Sequence, residues 1–275
     1  MRYASLDDYL KSSGRSAGPI ALLVCEDDFL VEETVRHLRK LGFSSVVATG
    51  PGADSLQDAE EDKGVAVAPT KTADAAKAAN AVGERFAGVW TLVCHNAEFP
   101  FFPFCETRLI DDFVDFLGSE RRAACMGYAV DLYSDAMISG ESVDLGDVYF
   151  DAEGWYGFDR DSGHVDVYGG LGWRFEEYAP LALSRVNRPC LFRAGSGTRL
   201  RADLWLEDDA LNTLNCPWHN NPTMALMSFR RGRRLLAHPN FKSAIDTLIW
   251  PNARRFDWNS EQLVRLGLIE AGQWI

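Results

Sequence analysis

The sequence predicts an α/β protein with a mixed, mainly parallel sheet flanked by helices. Three observations carry this. The run Pro19-Ile20-Ala21-Leu22-Leu23-Val24-Cys25 is short and nearly all apolar, as befits a strand buried on both faces. Leu30, Thr34, Leu38 and Leu41 then recur at helical spacing, and Gly42 stops that helix. Ser45-Val46-Val47-Ala48-Thr49 reads as the next strand, which completes a βαβ unit whose crossover is right-handed.

The alternation continues. Val65 to Ala68 reads as a third strand, and the Ala-rich stretch Thr72 to Phe86 as a helix. Gly88 to Cys94 is a second buried-strand pattern that ends in His95-Asn96-Ala97-Glu98. Leu109 to Leu117 reads as a helix with Asp111 and Asp112 near its start, and Ala123 to Leu132 as a strand ending near Asp131 and Asp135. Residues 139–172 are rich in Gly, Asp and aromatics, which predicts a loop-rich insertion or small hairpin region. Residues 241–275 read as a helical end packed on the domain spanning 19–240, and residues 1–18 as a polar N-terminal segment.

Composition narrows the function. The chain has 275 residues, 47% of them apolar, enough for a substantial core. Acidic residues outnumber basic ones 40 to 28, a net charge of −12, so a nucleic-acid-coating role is disfavoured. No apolar run reaches the roughly 18 residues of a membrane span, and Met1 to Gly18 lacks an apolar signal core, so a cytoplasmic protein is expected. The six cysteines are spread out with no CxxC pair, which fits buried, reduced thiols better than a zinc ribbon. There is also no GxSxG, GxxxxGK[ST] or HExxH pattern.

In open α/β sheets ligands bind beyond the carboxyl ends of the strands. Three polar clusters fall there: Glu26–Asp28, His95–Glu98 and Asp131–Asp135. Glu26 and Asp27 are placed either to accept hydrogen bonds from a nucleotide or to start a helix, and Asp54 to contact a base or lie in an exposed turn. His95 and Glu98, with His219 from afar, are candidate ligands of a transition metal such as Mn²⁺ or Zn²⁺, or else a strand-end hydrogen bond and a loop cap. The dense basic run of Arg230, Arg231, Arg233 and Arg234 can clamp a diphosphate or bind the acidic surface around it. Phe99, Phe101, Phe102 and Phe104 form either an acceptor wall, a subunit contact or core. Trp155, Tyr156 and Trp173 can stack on sugar rings or cover the sheet.

Several segments, in order, resemble family 2-like glycosyltransferases with a GT-A fold. Phe29 to Phe43, ending in Leu41-Gly42-Phe43, is similar to the helix that follows that family's first strand. His95-Asn96-Ala97-Glu98-Phe99 stands where the family has Asp-x-Asp-Glu-Phe. Val130 to Asp135, Gly169-Gly170-Leu171-Gly172-Trp173-Arg174-Phe175, Leu183 to Arg193 and Asn259 to Ile269 resemble later segments of one subgroup.

The resemblance implies transfer of a sugar from a nucleotide diphosphate sugar to a hydroxyl acceptor, with inversion. Mg²⁺ or Mn²⁺ would be held against the diphosphate by the Asp-x-Asp carboxylates. Asp131 and Asp135 are the candidate bases, with Glu207, Asp208 and Asp209 in reserve. Here His95 and Ala97 replace both aspartates and only Glu98 keeps a carboxylate. Cys25-Glu26-Asp27 stands for Arg-Asn-Glu, and His219-Asn220-Asn221-Pro222-Thr223 for His-Phe-Lys-Phe-Leu. The alternative expectation is therefore an inactive relative that binds a nucleotide, a glycan or a partner protein. A third is a metal-independent transferase with arginines supplying the charge.

Overall fold

A computed structural model describes residues 1–14, 16, 18–57, 63–161, 164–178, 185–195, 198–213 and 221–274. His219, named above from sequence, and Cys216, one of the six cysteines, lie outside them.

Alternating apolar strands build the first half of the sheet. β1 (Ile20–Val24) pairs in parallel with β2 (Ser45–Thr49) on one side and β4 (Trp90–His95) on the other, and β3 (Val65–Val67) extends β2 in parallel. Every residue of β1 is fully buried, because helices cover both faces. Successive strand residues point to opposite faces. Ala21 and Leu23 pack towards α2 (Val31–Lys40) and α4 (Ile110–Ser119). Ile20, Leu22 and Val24 pack towards α1 (Leu6–Ser12) and α3 (Ala75–Arg85). Each fully buried Leu or Phe in these layers contributes about 1.5–3 kcal/mol.

The N-terminal segment belongs to this fold. Leu6 and Tyr9 of α1 are buried, and the Tyr3 N–H donates to the Val67 carbonyl at 2.8 Å, beside β3.

Beyond β4 the sheet becomes mixed. β10 (Asn187–Arg193) runs antiparallel between β4 and the long β6 (Ala124–Tyr133). The register shift between Pro189 and Leu191 accommodates a proline in an interior strand. β11 (Met224–Ser228) pairs in parallel with β6 and antiparallel with β5 (Glu98–Phe101). β7 (Tyr149–Asp151) and β12 (Ala253–Arg255) complete the other edge. The expectation of an α/β fold with helices flanking a mixed sheet holds, with the parallel order β3-β2-β1-β4 at its N-terminal side.

The expected small hairpin region over residues 139–172 is present together with further elements, and the expectation of a helical C-terminal end is corrected. Residues 139–172 contain β7, the separate hairpin β8 (Tyr156–Asp161) and β9 (His164–Tyr168), and the start of the short helix α6 (Gly170–Arg174). The C-terminal end is not mainly helical: α8 (Ser260–Arg265) is its one α-helix among the described residues, and β12 lies before it. Pro251 and the polar turns around it interrupt any helical period. None of the described helices is long and apolar enough to cross a membrane.

The aromatic run after Glu98 is core. Phe99, Phe101 and Phe102 are buried, Phe99 lies edge-on to Trp258 at 4.9 Å, and Phe102 stacks on Phe113 at 4.9 Å. The five described cysteines are all buried free thiols.

Candidate functional site: an arginine-clamped cleft

From β1 the chain moves outward to β2 and β3, then returns to β4 on the other side of β1. A crevice opens at the carboxyl ends of strands where the order reverses in this way. Glu26 and Asp27 follow β1, and His95 to Glu98 follow β4, so the sequence places both clusters here. Asn96 stitches them together. Its side chain accepts from the Glu26 N–H at 2.8 Å and donates to Asp27 Oδ1 at 2.8 Å and the Phe29 carbonyl at 3.0 Å.

The turn carrying Glu98 is held from several directions. Ala97 has φ 57°, a left-handed conformation uncommon for a residue with a Cβ. Its N–H donates to Thr34 Oγ1 at 3.0 Å, and its carbonyl accepts from the Phe229 N–H at 3.1 Å. Glu98 is thereby turned back over the end of β4. Its Oε2 accepts from the His95 N–H at 2.8 Å and lies 3.3 Å from His95 Nδ1. A carboxylate only accepts, so Nδ1 of the neutral imidazole carries the proton.

The remaining partners of Glu98 are the Ser228 hydroxyl, which donates to Oε1 at 3.5 Å, and two cations. Arg188, from β10, reaches Oε2 at 2.9 Å, and Arg230 reaches Oε1 at 3.3 Å. Arg230 also grips Glu26 with two hydrogen bonds, of 3.0 and 2.7 Å. It opens α7 (Arg230–Leu236), directly after β11. Its neighbours act in the same way. Arg231 pairs with Asp131 at 2.9 Å, Arg233 with Asp27 at 2.7 Å, and Arg234 with Glu26 at 3.1 Å. The basic run thus binds the acids at the strand ends. Five guanidiniums face four carboxylates, leaving one positive charge in a strongly acidic chain.

These contacts set the protonation states. Burial pushes Glu98 up, but Arg188, Arg230 and His95 outweigh it and hold the carboxyl well below its ordinary range. Burial and then Arg230 push the His95 imidazole down to about 4. Burial also raises Glu26 and Asp27, yet the arginine contacts leave both below their usual values. Asp131 differs: its burial outweighs Arg231 and the Leu171 N–H, so its pKa rises.

Asp131, near the end of β6, accepts from Arg231 and from the Leu171 N–H at 2.8 Å, both at Oδ2. The Gly169-Gly170 pair permits this contact. Gly170 has φ +65°, and a Cβ there would lie 2.4 Å from Asp131 Oδ2. Asp131, Glu98, Ser228, Arg230, Arg231 and Arg234 line a cavity of 410 Å³ together with Tyr178 and His238, whose rings lie 5.4 Å apart.

Other candidates sit elsewhere. Asp135 accepts from the Thr247 hydroxyl and the Leu248 N–H, which ties down the chain after Phe241, and it does not line the cavity. Asp54 pairs with Arg2 at 2.9 Å on an exposed turn. Asp208 caps the turn at Asp209–Leu211, and Asp209 pairs with Arg201. Glu207 pairs with Arg199. The Trp155 indole donates to the Asp151 carbonyl within the fold, whereas Tyr156 lies against Trp173 at 5.0 Å and is half exposed.

His95 and Glu98 touch, and both Glu98 oxygens are engaged by guanidiniums. Among the described residues no group of three or more His, Cys, Asp or Glu is placed to hold a metal ion. Of the three candidate ligands, His219 lies outside the described residues, and His95 and Glu98 alone do not make up a metal-binding group.

Sequence reasoning passed over Arg188, His238 and Tyr178. Arg188 left a signal: a lone arginine in an apolar strand must find a buried carboxylate. His238 and Tyr178 left none.

No family model matches the sequence, and no curated protein matches it. Among solved structures the chain is similar to the crystal structure of apo UDP-glucose pyrophosphorylase. The TM-score is 0.37 at 9% sequence identity, covering 84% of this chain and 100% of that one. A likeness this distant assigns no activity to the chain.

Proposed function

We propose that the chain is a glycosyltransferase-like protein that binds a nucleotide diphosphate sugar in the arginine-lined cavity and does not carry out metal-assisted transfer. The observation that carries this reading is the saturation of Glu98 by Arg188 and Arg230. Glu98, the one carboxylate kept from the Asp-x-Asp-Glu segment, is held by the protein's own cations.

Three features support the ligand class. The framework segments resemble family 2-like glycosyltransferases in order. The cavity is lined by Ala129 and Asp131 from the last part of β6 and Ser228 at the end of β11, and reaches Glu98. Its 410 Å³ falls within the roughly 300–1,000 Å³ of small-molecule sites, and the excess guanidinium favours an anionic group such as a diphosphate.

One observation favours a second reading, an inverting, metal-independent glycosyltransferase. Asp131 lines the cavity, both its hydrogen bonds fall on Oδ2, and burial raises its affinity for a proton. In that reading Oδ1 takes the proton of the acceptor hydroxyl as the sugar is displaced from the diphosphate.

Thermal melting against a panel of nucleotide diphosphates and their sugars, with Mn²⁺ or with EDTA, tests the proposal. A ligand that binds only the folded state raises the midpoint by mass action. The expected result is a rise with one nucleotide class that EDTA does not remove, and donor hydrolysis at background. Mn²⁺-dependent hydrolysis would overturn the non-catalytic part, and a panel without any shift would overturn the ligand class.

A further inference from the structure

We propose that Arg230 is the resident cation of the cleft: its guanidinium takes the place between the strand-end acids Glu26 and Glu98 that a divalent ion would otherwise take, and keeps such an ion out. This does not rest on the identity of the cavity's ligand and would stand if no nucleotide bound.

The geometry is that of a bridging ion. Glu26 follows the first strand and Glu98 the fourth, on the two sides of the switch-point crevice. Arg230 spans it, with two nitrogens on the Glu26 oxygens at 3.0 and 2.7 Å and the third on Glu98 Oε1 at 3.3 Å. The guanidinium fork suits two carboxylates, whereas a metal would need their lone pairs at close to 2 Å. Arg188 takes the other Glu98 oxygen at 2.9 Å.

Arg230 is also fixed in place. The residue before it donates its N–H to the Ala97 carbonyl at 3.1 Å, and the Arg230 N–H lies 3.3 Å from Ser228 Oγ. The arginine backbone is therefore pinned to the same turn that presents Glu98. Its side chain is only 16% exposed, and if it left, the nearly inaccessible Glu98 would keep Arg188 alone as a close cationic partner. A divalent ion entering this crevice would meet two guanidiniums and no free carboxylate oxygen on Glu98.

The test uses the full chain and Mn²⁺ alone, following the paramagnetic resonance signal of the free aquo ion during titration. Over the titrated range wild type is expected to take up none, while Arg230→Ala takes up one ion per chain with a Kd at least about tenfold below the highest Mn²⁺ concentration used. Glu98→Gln in the Arg230→Ala background should abolish that uptake. Arg230→Gln, which keeps a polar side chain in the crevice, gives a second uncharged variant if the alanine protein does not fold; folding of either variant only with Mn²⁺ present would also support the proposal. Uptake of Mn²⁺ by wild type that Glu98→Gln removes would overturn it. So would the absence of uptake in a folded Arg230→Ala or Arg230→Gln protein.

Discussion

Arg230 and Glu26 are 204 residues apart in sequence and are joined by two hydrogen bonds, of 3.0 and 2.7 Å. The contact ties the end of the first strand to the helix after β11. With Arg188 on the far side of Glu98, it makes the crevice an internal ion network.

Removing the hub of that network should be costly. Glu98→Ala leaves Arg188, 9% exposed, and Arg230 without a shared carboxylate. Breaking a buried pair from one side costs about 3–5 kcal/mol. Urea denaturation of the variant should show a loss of that order with an unchanged slope. A change within about 0.5 kcal/mol, typical of a surface substitution, would contradict the network.

The His95 and Glu98 pair predicts an acid-side loss of stability. The His95 pKa is lowered from 6.5 to about 4. The unfolded chain then binds the proton first, so this contribution is complete above 6.5 and is lost as the pH falls towards 4. A shift of that size corresponds to roughly 3 kcal/mol. His37, pushed down to about 4 by burial, acts over the same range. Glu98, held well below 4.5, adds a further loss as the pH falls below that value. Asp131, raised above 3.8, has the opposite sign and stabilises the fold as it takes up its proton. Unfolding free energy measured against pH should fall from about 6.5 downwards, and His95→Gln should make the upper part of that fall shallower.

Gly170→Ala tests how Asp131 is held. The new Cβ would lie 2.4 Å from Asp131 Oδ2, at a φ of +65°. Left-handed strain alone costs about 1 kcal/mol or more, and displacing a buried carboxylate from its N–H partner adds to it. A melting midpoint lowered by several degrees is expected, together with weaker ligand binding. An unchanged midpoint would mean that the Gly169-Gly170 turn is not needed for this contact.

The central strands and helices were legible because their apolar residues keep the periods of two-faced strands and one-faced helices. Ile20–Val24, Ser45–Thr49 and Val31–Lys40 lie where the patterns put them. β5 was not legible. Glu98-Phe99-Pro100-Phe101 contains a proline, which is tolerated there because β5 pairs on one side only, with β11. The end of the chain misled because short apolar runs near Ile245 to Trp250 pack as turns over α6 and α7 rather than as a helix. The acids of the site could be named from their strand-end positions. Their pairing could not, since it joins residues about 70 to 200 apart through the sheet order. The arginine run was visible as a group, but whether it would face phosphate or carboxylate depended on where α7 lands.

Arg234 separates ligand binding from stability. Its side chain is 56% exposed and shares Glu26 with Arg230. Arg234→Ala should change the unfolding free energy by less than about 1 kcal/mol, while weakening a diphosphate ligand several-fold and reducing the salt dependence of binding. Equal affinity in variant and wild type would place the anion away from this arginine.

The most direct measurement is calorimetric titration of wild type with the nucleotide diphosphate sugar that raises its melting point, once in EDTA and once in Mn²⁺. The expected result is the same affinity in both, within about twofold, and no turnover of the donor. Binding that appears only with Mn²⁺ and vanishes in Glu98→Gln would contradict it.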